Sequence, residues 1–235
     1  MVGVGAGWQI TSRTSMALKQ INFDVSNDEP PIEIRAMIDE SDRRIDALFA
    51  SGGNLQVPRY MPSDPELFFR VLKTMTEHRL PLGRVFCEWG CGFGICASIA
   101  AQLGYEAYGI ELDPRMAKQA RSLTDDLGIS VEILETSYVP DGYDSYSGMG
   151  GEVLIKEEGM LSPDDRFVSE LIYDGMDREI ADIDIFFVYP WPLEQEFVQE
   201  LFDEIAGEGA ILITFHKYGE LLAFRKVDEN EEEAE

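Results

Sequence analysis

A glycine-rich turn between a buried strand and a helix constrains the fold of this chain more than any other feature. The segment Glu88–Gly94 reads Glu-Trp-Gly-Cys-Gly-Phe-Gly. The apolar run Val85–Glu88 precedes it, and apolar residues spaced four apart follow it at Ile95, Ile99 and Leu103. Residues without a Cβ let the backbone approach a ligand closely, and the N-terminus of the following helix favours an anionic group. The turn therefore predicts a ligand site at the end of a central strand.

Strands and helices alternate after this turn. Further strands are predicted at Ala107–Leu112, Ser130–Leu134, Ile183–Val188, Ala210–Phe215 and Leu221–Val227. One helix begins at Pro114 after an Asp113 cap and presents Met116, Ala120, Leu123 and Leu127 to the core. Another ends before Gly207 and presents Leu193, Phe197, Leu201 and Ile205. The alternation predicts an α/β, Rossmann-like fold, with a mainly parallel sheet and helices on both faces.

Two flanking segments are predicted around a main domain at residues 58–227. Residues 1–57 form an N-terminal extension with one helix, Pro31–Ala50, which docks through Ile34, Ile38, Ile45, Leu48 and Phe49. The main domain opens with a helix capped by Asp64 that buries Leu67, Phe68, Val71, Leu72 and Met75. Residues 228–235 hold six acids and no base, and we expect a disordered acidic tail.

The connection formed by residues 141–184 is far longer than the usual few residues plus one helix. It carries 13 acids and 3 bases, and its second part predicts a helix at Pro163–Tyr173. This connection starts at the edge of the sheet where a ligand would lie. We therefore expect an insertion that covers the substrate side of the site.

The net charge of −26 limits the classes of partner. Without the acidic tail the chain still carries −20, so the acidity is global. Such a surface repels phosphate backbones, and we expect no nucleic-acid partner. Attraction of a cationic substrate and adaptation for solubility or a salt-rich habitat both explain the charge, and the sequence leaves both open. No apolar run approaches the roughly 18 residues of a membrane span, so we expect a cytoplasmic protein without a membrane partner.

The three cysteines lie close together, at Cys87, Cys91 and Cys96. Their spacing matches neither the paired cysteines of zinc sites nor the common iron–sulfur patterns, and we expect no metal. Small side chains packed around a tight turn explain them better. The two histidines, His78 and His216, are expected at the surface and at a strand end.

A carboxylate completes the predicted ligand site. Glu111 ends the second strand 17 residues after Gly94, where an acid commonly accepts hydrogen bonds from both hydroxyls of a ribose. Together the turn and Glu111 predict an adenosine-containing ligand. The glycines at 90, 92 and 94 do not follow the G-x-G-x-x-G spacing of dinucleotide sites, which disfavours a nicotinamide cofactor.

An acid followed by G-x-G-x-G, with a second acid after the next strand, resembles the class I S-adenosylmethionine-dependent methyltransferases. The resemblance covers about residues 60–227 and implies S-adenosylmethionine as the cofactor. It implies that Glu88 holds the methionine amino end, that Glu111 binds the ribose and that Leu112 packs on the adenine. The floor of the site is then formed by Gly90, Gly92 and Gly94. A buried strand-end acid satisfied by backbone amides is the alternative for Glu88.

Two further positions follow from the same resemblance. The stretch Glu135–Ser137 matches the place where the family puts an acid near the adenine amino group, and Ser137 or the backbone takes that role here. Amino-methylating relatives carry Asp or Asn before Pro-Pro-aromatic, whereas this chain has Tyr189-Pro-Trp191-Pro. That departure argues against adenine methylation. Tyr189 and Trp191 are candidates to line the substrate entrance and offer an electron-rich face to a cation, although packing at a strand end also explains Trp191.

The resemblance implies methyl transfer to a nitrogen nucleophile of a protein or a small molecule. The layout that includes Tyr60–Ser63 before the first helix of the domain is similar to small methyltransferases of the ATP-synthase c-subunit lysine methyltransferase type. No residue is assigned as catalytic, and the oligomeric state is open. The alternative is a non-catalytic, cofactor-binding protein with a regulatory or assembly role.

Overall fold

The computed structural model describes residues 18–50, 61, 63–140, 171–191, 194–216 and 220–227. Its strands are β1 Leu18–Gln20, β2 Val85–Trp89, β3 Glu106–Ile110, β4 Val131–Leu134, β5 Ile185–Val188, β6 Ile211–His216 and β7 Glu220–Lys226. Its α-helices are α1 Ile32–Ala50, α2 Pro65–Glu77, α3 Ile95–Gln102, α4 Pro114–Leu127 and α5 Gln195–Ile205. A short 3-10 helix, Ile180–Asp182, precedes β5. In this described part of the chain no helix is long and apolar enough to cross a membrane.

The strands form one sheet of seven, in the order β1-β7-β6-β5-β2-β3-β4. Strands β2 to β6 are mutually parallel, and β7 runs antiparallel to β6. Two large apolar clusters involve the sheet and the helices packed on it. The predicted α/β class with a mainly parallel sheet is confirmed. The strand order reverses at β2, whose neighbours are β3 and β5, and ligands bind at the carboxyl ends of such strands.

The N-terminal extension contributes a strand as well as its predicted helix. Strand β1 pairs antiparallel with β7, and the amide of Ile21 continues the pairing by donating to the carbonyl of Ala223 at 2.8 Å. The described part of the extension holds the predicted helix and also this strand, which sequence analysis did not identify because three residues are too few to show a strand period. Docking of α1 is confirmed, since Ile34 and Ile38 are buried against α2 and α3.

The predicted helix starts agree with the structure. The Asp64 carboxylate accepts from the amide of Leu67 at 2.9 Å, and Asp113 accepts from the amide of Arg115 at 2.8 Å. One inward position was wrong, because Leu127 is 40% exposed. It is the last residue of α4, where Gly128 turns the chain into the left-handed region and the helix ends.

The end of the long connection is fixed on the sheet. Tyr173, Met176, Ile180 and Ile183 are buried in the cluster that covers β2 and β5. Residues 171–173 are not helical, so the predicted helix is wrong at its C-terminal end. Tyr173 is buried whereas Ile172 is 51% exposed, and a turn at Gly175, with φ of 88°, follows them. Residues 163–170, like the rest of 141–170 and the acidic tail, lie outside the described residues.

A buried hydrogen bond joins the described end of this connection to the residues just before its start. The Tyr173 hydroxyl donates to the carbonyl of Tyr138 at 3.0 Å. We expect Tyr173→Phe to lower the free energy of unfolding by about 1 kcal/mol, because it leaves the Tyr138 carbonyl without that donor. Urea denaturation measures the loss. Ile172→Ala is the control, since Ile172 is 51% exposed and should change stability by less than about 0.5 kcal/mol. A Tyr173→Phe protein as stable as the parent would contradict the prediction.

Candidate cofactor and substrate site

The glycine turn takes a backbone path that side chains other than glycine rarely allow. Gly90, Gly92 and Gly94 have φ of 70°, 55° and 69°, all in the left-handed region. The amide of Gly94 donates to the carbonyl of Cys91 at 2.7 Å and closes the turn. The amide of Cys91 donates to the carbonyl of Ile110 at 2.9 Å. The turn is thus fixed against the end of β3.

Glu111 lies directly at this turn. One carboxylate oxygen accepts from the amide of Gly92 at 2.8 Å, and the other accepts from the amide of Asp113 at 2.8 Å. Burial raises the pKa of Glu111, and the two amides act in the opposite direction. The carboxylate thus joins the turn after β2 to the segment after β3, and its binding of a ribose stays a prediction.

Glu88 is the second carboxyl group of this region, and it is only 6% exposed. Its Oε2 accepts from the amide of Ala97 in the first turn of α3 at 2.8 Å. Burial raises the pKa of Glu88 to about 8; the Ala97 amide and the Cys96 thiol lower it, and the nearby charge of Glu111 raises it. The contact matches the alternative of a strand-end acid bonded to backbone, and its role toward the cofactor stays a prediction.

The remaining cofactor candidates follow β3 and β4. Leu112 is half-buried, next to Glu111. The Ser137 hydroxyl accepts from the amide of Val139 at 3.0 Å, so this oxygen also orders the turn after β4. The amide of Glu111 donates to the carbonyl of Leu134 at 2.9 Å and ties the two strand ends together. Their contacts to an adenine stay predictions.

The cysteines pack around the turn, as the sequence suggested. All three thiols are free and buried, and burial raises the pKa of each. A Cβ placed on Gly109 would lie 2.8 Å from the Cys91 sulfur, so this glycine of β3 makes room for the turn. The Cys96 sulfur lies 3.3 Å from the Ser63 hydroxyl. Sequence analysis did not single out Gly109, because a lone glycine carries no signal by itself, and it named Ser63 only as part of Tyr60–Ser63.

The substrate candidates lie next to the turn. Trp89 pairs in register with Val188, so Gly90 and Tyr189 follow at the ends of adjacent strands. The Tyr189 ring is half-buried and stacks on Phe215, with centroids 5.1 Å apart and planes at 28°. Sequence analysis missed Phe215 as a partner of Tyr189, since their meeting depends on the register between β5 and β6.

Trp191 lies on the connection to α5. Its side chain is half-buried, and its carbonyl accepts from the amide of Glu194 at 2.8 Å. Glu194 is a carboxyl group with only 4% exposure, which the sequence pattern did not reveal. The structure thus brings the two aromatic candidates to one edge of the sheet, the edge that also holds the glycine turn.

Residues 87–142 match the family model of a methyltransferase domain. The match contains the glycine turn, the strand after it and Glu111. This segment of the chain is therefore similar to a methyltransferase domain. S-adenosylmethionine is the cofactor that the sequence resemblance implies for it.

The solved structures that are similar to this chain have low sequence identity to it. An RNA methyltransferase from Salinibacter ruber in complex with S-adenosyl-L-homocysteine is 14% identical, with 72% of this chain and 95% of that chain covered and a TM-score of 0.46. A methyltransferase from Geobacter sulfurreducens is 15% identical, with coverages of 84% and 92% and a TM-score of 0.48. A Thiobacillus denitrificans S-adenosylmethionine-dependent methyltransferase in complex with S-adenosyl-L-homocysteine is 16% identical, with coverages of 68% and 53% and a TM-score of 0.41. A search of curated proteins found no match.

The raised pKa of Glu88 has a consequence for stability. The unfolded carboxyl group ionises above its ordinary pKa of 4.5, whereas the folded one keeps its proton up to about pH 8. Between these values the unfolded state binds fewer protons, so this group lowers stability as pH rises, on the order of 1.4 kcal/mol per pH unit at most. We expect Glu88→Gln, which cannot ionise, to gain stability over the parent from pH 5 to pH 8.

Urea denaturation of parent and variant at both pH values measures this difference. Glu132→Gln on β4 is the control, because Glu132 is exposed to water. We expect its difference from the parent to be the same at both pH values. A Glu88→Gln difference that does not grow with pH would show that Glu88 ionises like an exposed carboxyl group.

Proposed function

We propose that the protein transfers a methyl group from S-adenosylmethionine to a nitrogen nucleophile of a protein or a small molecule. The observation that carries the proposal is the contact between Gly92 and Glu111, because it joins the glycine turn and the ribose-binding acid in one site. The match to a methyltransferase domain over the same residues supports it.

The residues present suit this cofactor. Glu111 provides a carboxylate for the ribose hydroxyls, and Glu88 provides a second acid toward the methionine amino end. A Cβ on Gly90 would meet no atom within 4 Å, so open space lies beside the turn. Leu112 and Ser137 are the candidates for adenine. The proposed cofactor-binding residues are Glu88, Gly90, Gly92, Gly94, Glu111, Leu112 and Ser137.

When bound, the cofactor supplies a methyl group already activated by its positively charged sulfonium. The chain therefore contributes mainly proximity and alignment of the nucleophile, and a neutral amine needs no dedicated base. A protonated amine first loses its proton to water or to a carboxylate. Tyr189 and Trp191 would orient the nucleophile, since both lie at the edge of the sheet that carries the turn.

A cationic substrate fits the charge of the protein better than a nucleic acid does. The net charge of −26 attracts a basic group and repels phosphates. The ring faces of Tyr189 and Trp191 favour a cation as well. The 13 acids of residues 141–184, against 3 bases, would add to that attraction.

Calorimetry with S-adenosylmethionine, followed by transfer of its labelled methyl group to components of a lysate, tests the proposal. Mass spectrometry of the labelled product identifies the atom. Label in a protein or a cationic small molecule is the expected result. Label that disappears after nuclease treatment would contradict the substrate class, and cofactor binding without transfer to any component would favour a non-catalytic binding protein.

Glu111→Ala tests the cofactor site directly. We expect it to weaken binding by about 1.5–3 kcal/mol, because two ribose hydroxyls lose a charged acceptor. This loss corresponds to a rise of roughly 10- to 150-fold in Kd. Calorimetry measures it, and Glu132→Ala on β4 is the matched control that should bind as the parent does. Unchanged affinity in a folded Glu111→Ala protein would refute the assignment.

Substitution of Asp164, Asp165 and Glu170 by amides tests the attraction of a cationic substrate. These acids lie outside the described residues, and the prediction rests on their charge alone. We expect the triple variant to raise KM and to flatten its dependence on salt, because screened attraction is what the charges supply. Cofactor affinity should stay the same. Equal salt slopes in variant and parent would show that the insertion does not select the substrate.

A further inference from the structure

The glycine turn contains one large side chain that is buried under the N-terminal extension. Phe93 lies between Gly92 and Gly94 and is 1% exposed. It packs in a small separate cluster with Ile45 of α1 and Met116 of α4. Around it lie the half-buried Leu48, Phe49 and Ile95. The C-terminal half of α1 therefore rests on the turn itself.

The same cluster also reaches the second part of the cofactor site. Met116 is in the first turn of α4, directly after the segment Glu111–Asp113. Arg44 fastens α1 to the same helix, because its guanidinium donates to the Asp126 carboxylate at 2.8 Å. One face of α1 thus contacts the glycine turn and the helix that follows Glu111.

The contact with α1 bears on the conformation of the glycine turn. Glycines at 90, 92 and 94 leave the backbone free to adopt many conformations, and one of them must be selected for binding. The carbonyl of Gly94 accepts from the amide and the hydroxyl of Ser98 in α3, at 2.9 and 2.7 Å, but the glycines themselves offer no side chain that could pack. A buried aromatic ring between two of these glycines restricts the backbone on both sides of it.

We propose that α1 is a positioning element for the cofactor, in which Ile45 holds Phe93 and thereby keeps the glycine turn in its binding conformation. The inference rests on the proposed function. It assigns a role to the N-terminal extension, which the family match at residues 87–142 does not include.

The same helix supplies a matched control. Ile34 is 3% exposed and packs in the cluster of α2 and α3, whereas Ile45 is 8% exposed and packs on Phe93. Ile34→Ala and Ile45→Ala remove the same atoms from the same helix. Both should lower Tm, but only Ile45→Ala should disturb the turn.

Calorimetry of the full chain with S-adenosylhomocysteine measures the effect on binding. If the turn of Ile45→Ala is in its binding conformation about a tenth of the time, Kd rises about tenfold. We expect Ile34→Ala to stay within about twofold of the parent, since its loss of packing does not change the competent fraction. Equal Kd values for the two variants would overturn the proposal.

Hydrogen exchange without any ligand tests the same role independently. The amides of Gly92 and Gly94 are hydrogen-bonded in the folded protein and should exchange faster in Ile45→Ala than in Ile34→Ala. If Ile45→Ala does not fold, Phe49→Ala removes a half-buried ring from the same cluster and gives the same two readouts. Equal exchange in the paired variants overturns the positioning role, whereas a parent that fails to bind S-adenosylhomocysteine overturns the proposed function.

Discussion

The hydrogen bond from the Gly92 amide to the Glu111 carboxylate is the interaction on which the rest of the site depends. It crosses from the turn after β2 to the residue after β3, at the place where the order of the sheet reverses. A backbone amide that meets a half-buried carboxylate must not be blocked by a side chain, and the left-handed turn at Gly92 provides that approach. Parallel pairing of β2 with β3 then places the Gly92 amide beside the Glu111 carboxylate.

The two acids of this site come at a cost to stability. Burial raises the pKa of both Glu88 and Glu111, and the backbone amides that donate to them act in the opposite direction. A positive charge placed beside Glu88 would offset the effect of burial, because it stabilises the ionised form. Groups with perturbed pKa values of this kind are common where a protein binds its ligand.

The parts of the fold that were predictable from sequence are those with a local signal. The glycine turn, the caps at Asp64 and Asp113 and the alternation of strands and helices each follow from a few neighbouring residues. The position of Glu111 followed from its distance along the chain to Gly94. These features could be predicted because, in a parallel strand–helix–strand unit, the residues that follow neighbouring strands lie close together in space.

The missed features depend on contacts between distant segments. Strand β1 exists because residues 18–20 find the free edge of β7, and three residues have no period of their own. Tyr189 meets Phe215 through the register of β5 with β6. The helix predicted to reach Tyr173 is absent at residues 171–173, where Tyr173 is buried and a turn at Gly175 follows. The local sequence pattern indicates which residues will be buried, whereas strand pairing between distant segments determines the path of the chain.

The packing of α1 links the extension to the glycine turn. Hydrogen bonds to Glu111, to β3 and within the turn hold its path, although its glycines have no side chains to pack. Phe93 adds an apolar contact, and its burial needs a partner from outside the strand–helix unit. Ile45 and Met116 provide that partner, one from the extension and one from the helix after Glu111. The apolar face of α1, which from sequence alone suggested only docking, therefore contacts the glycine turn through Phe93.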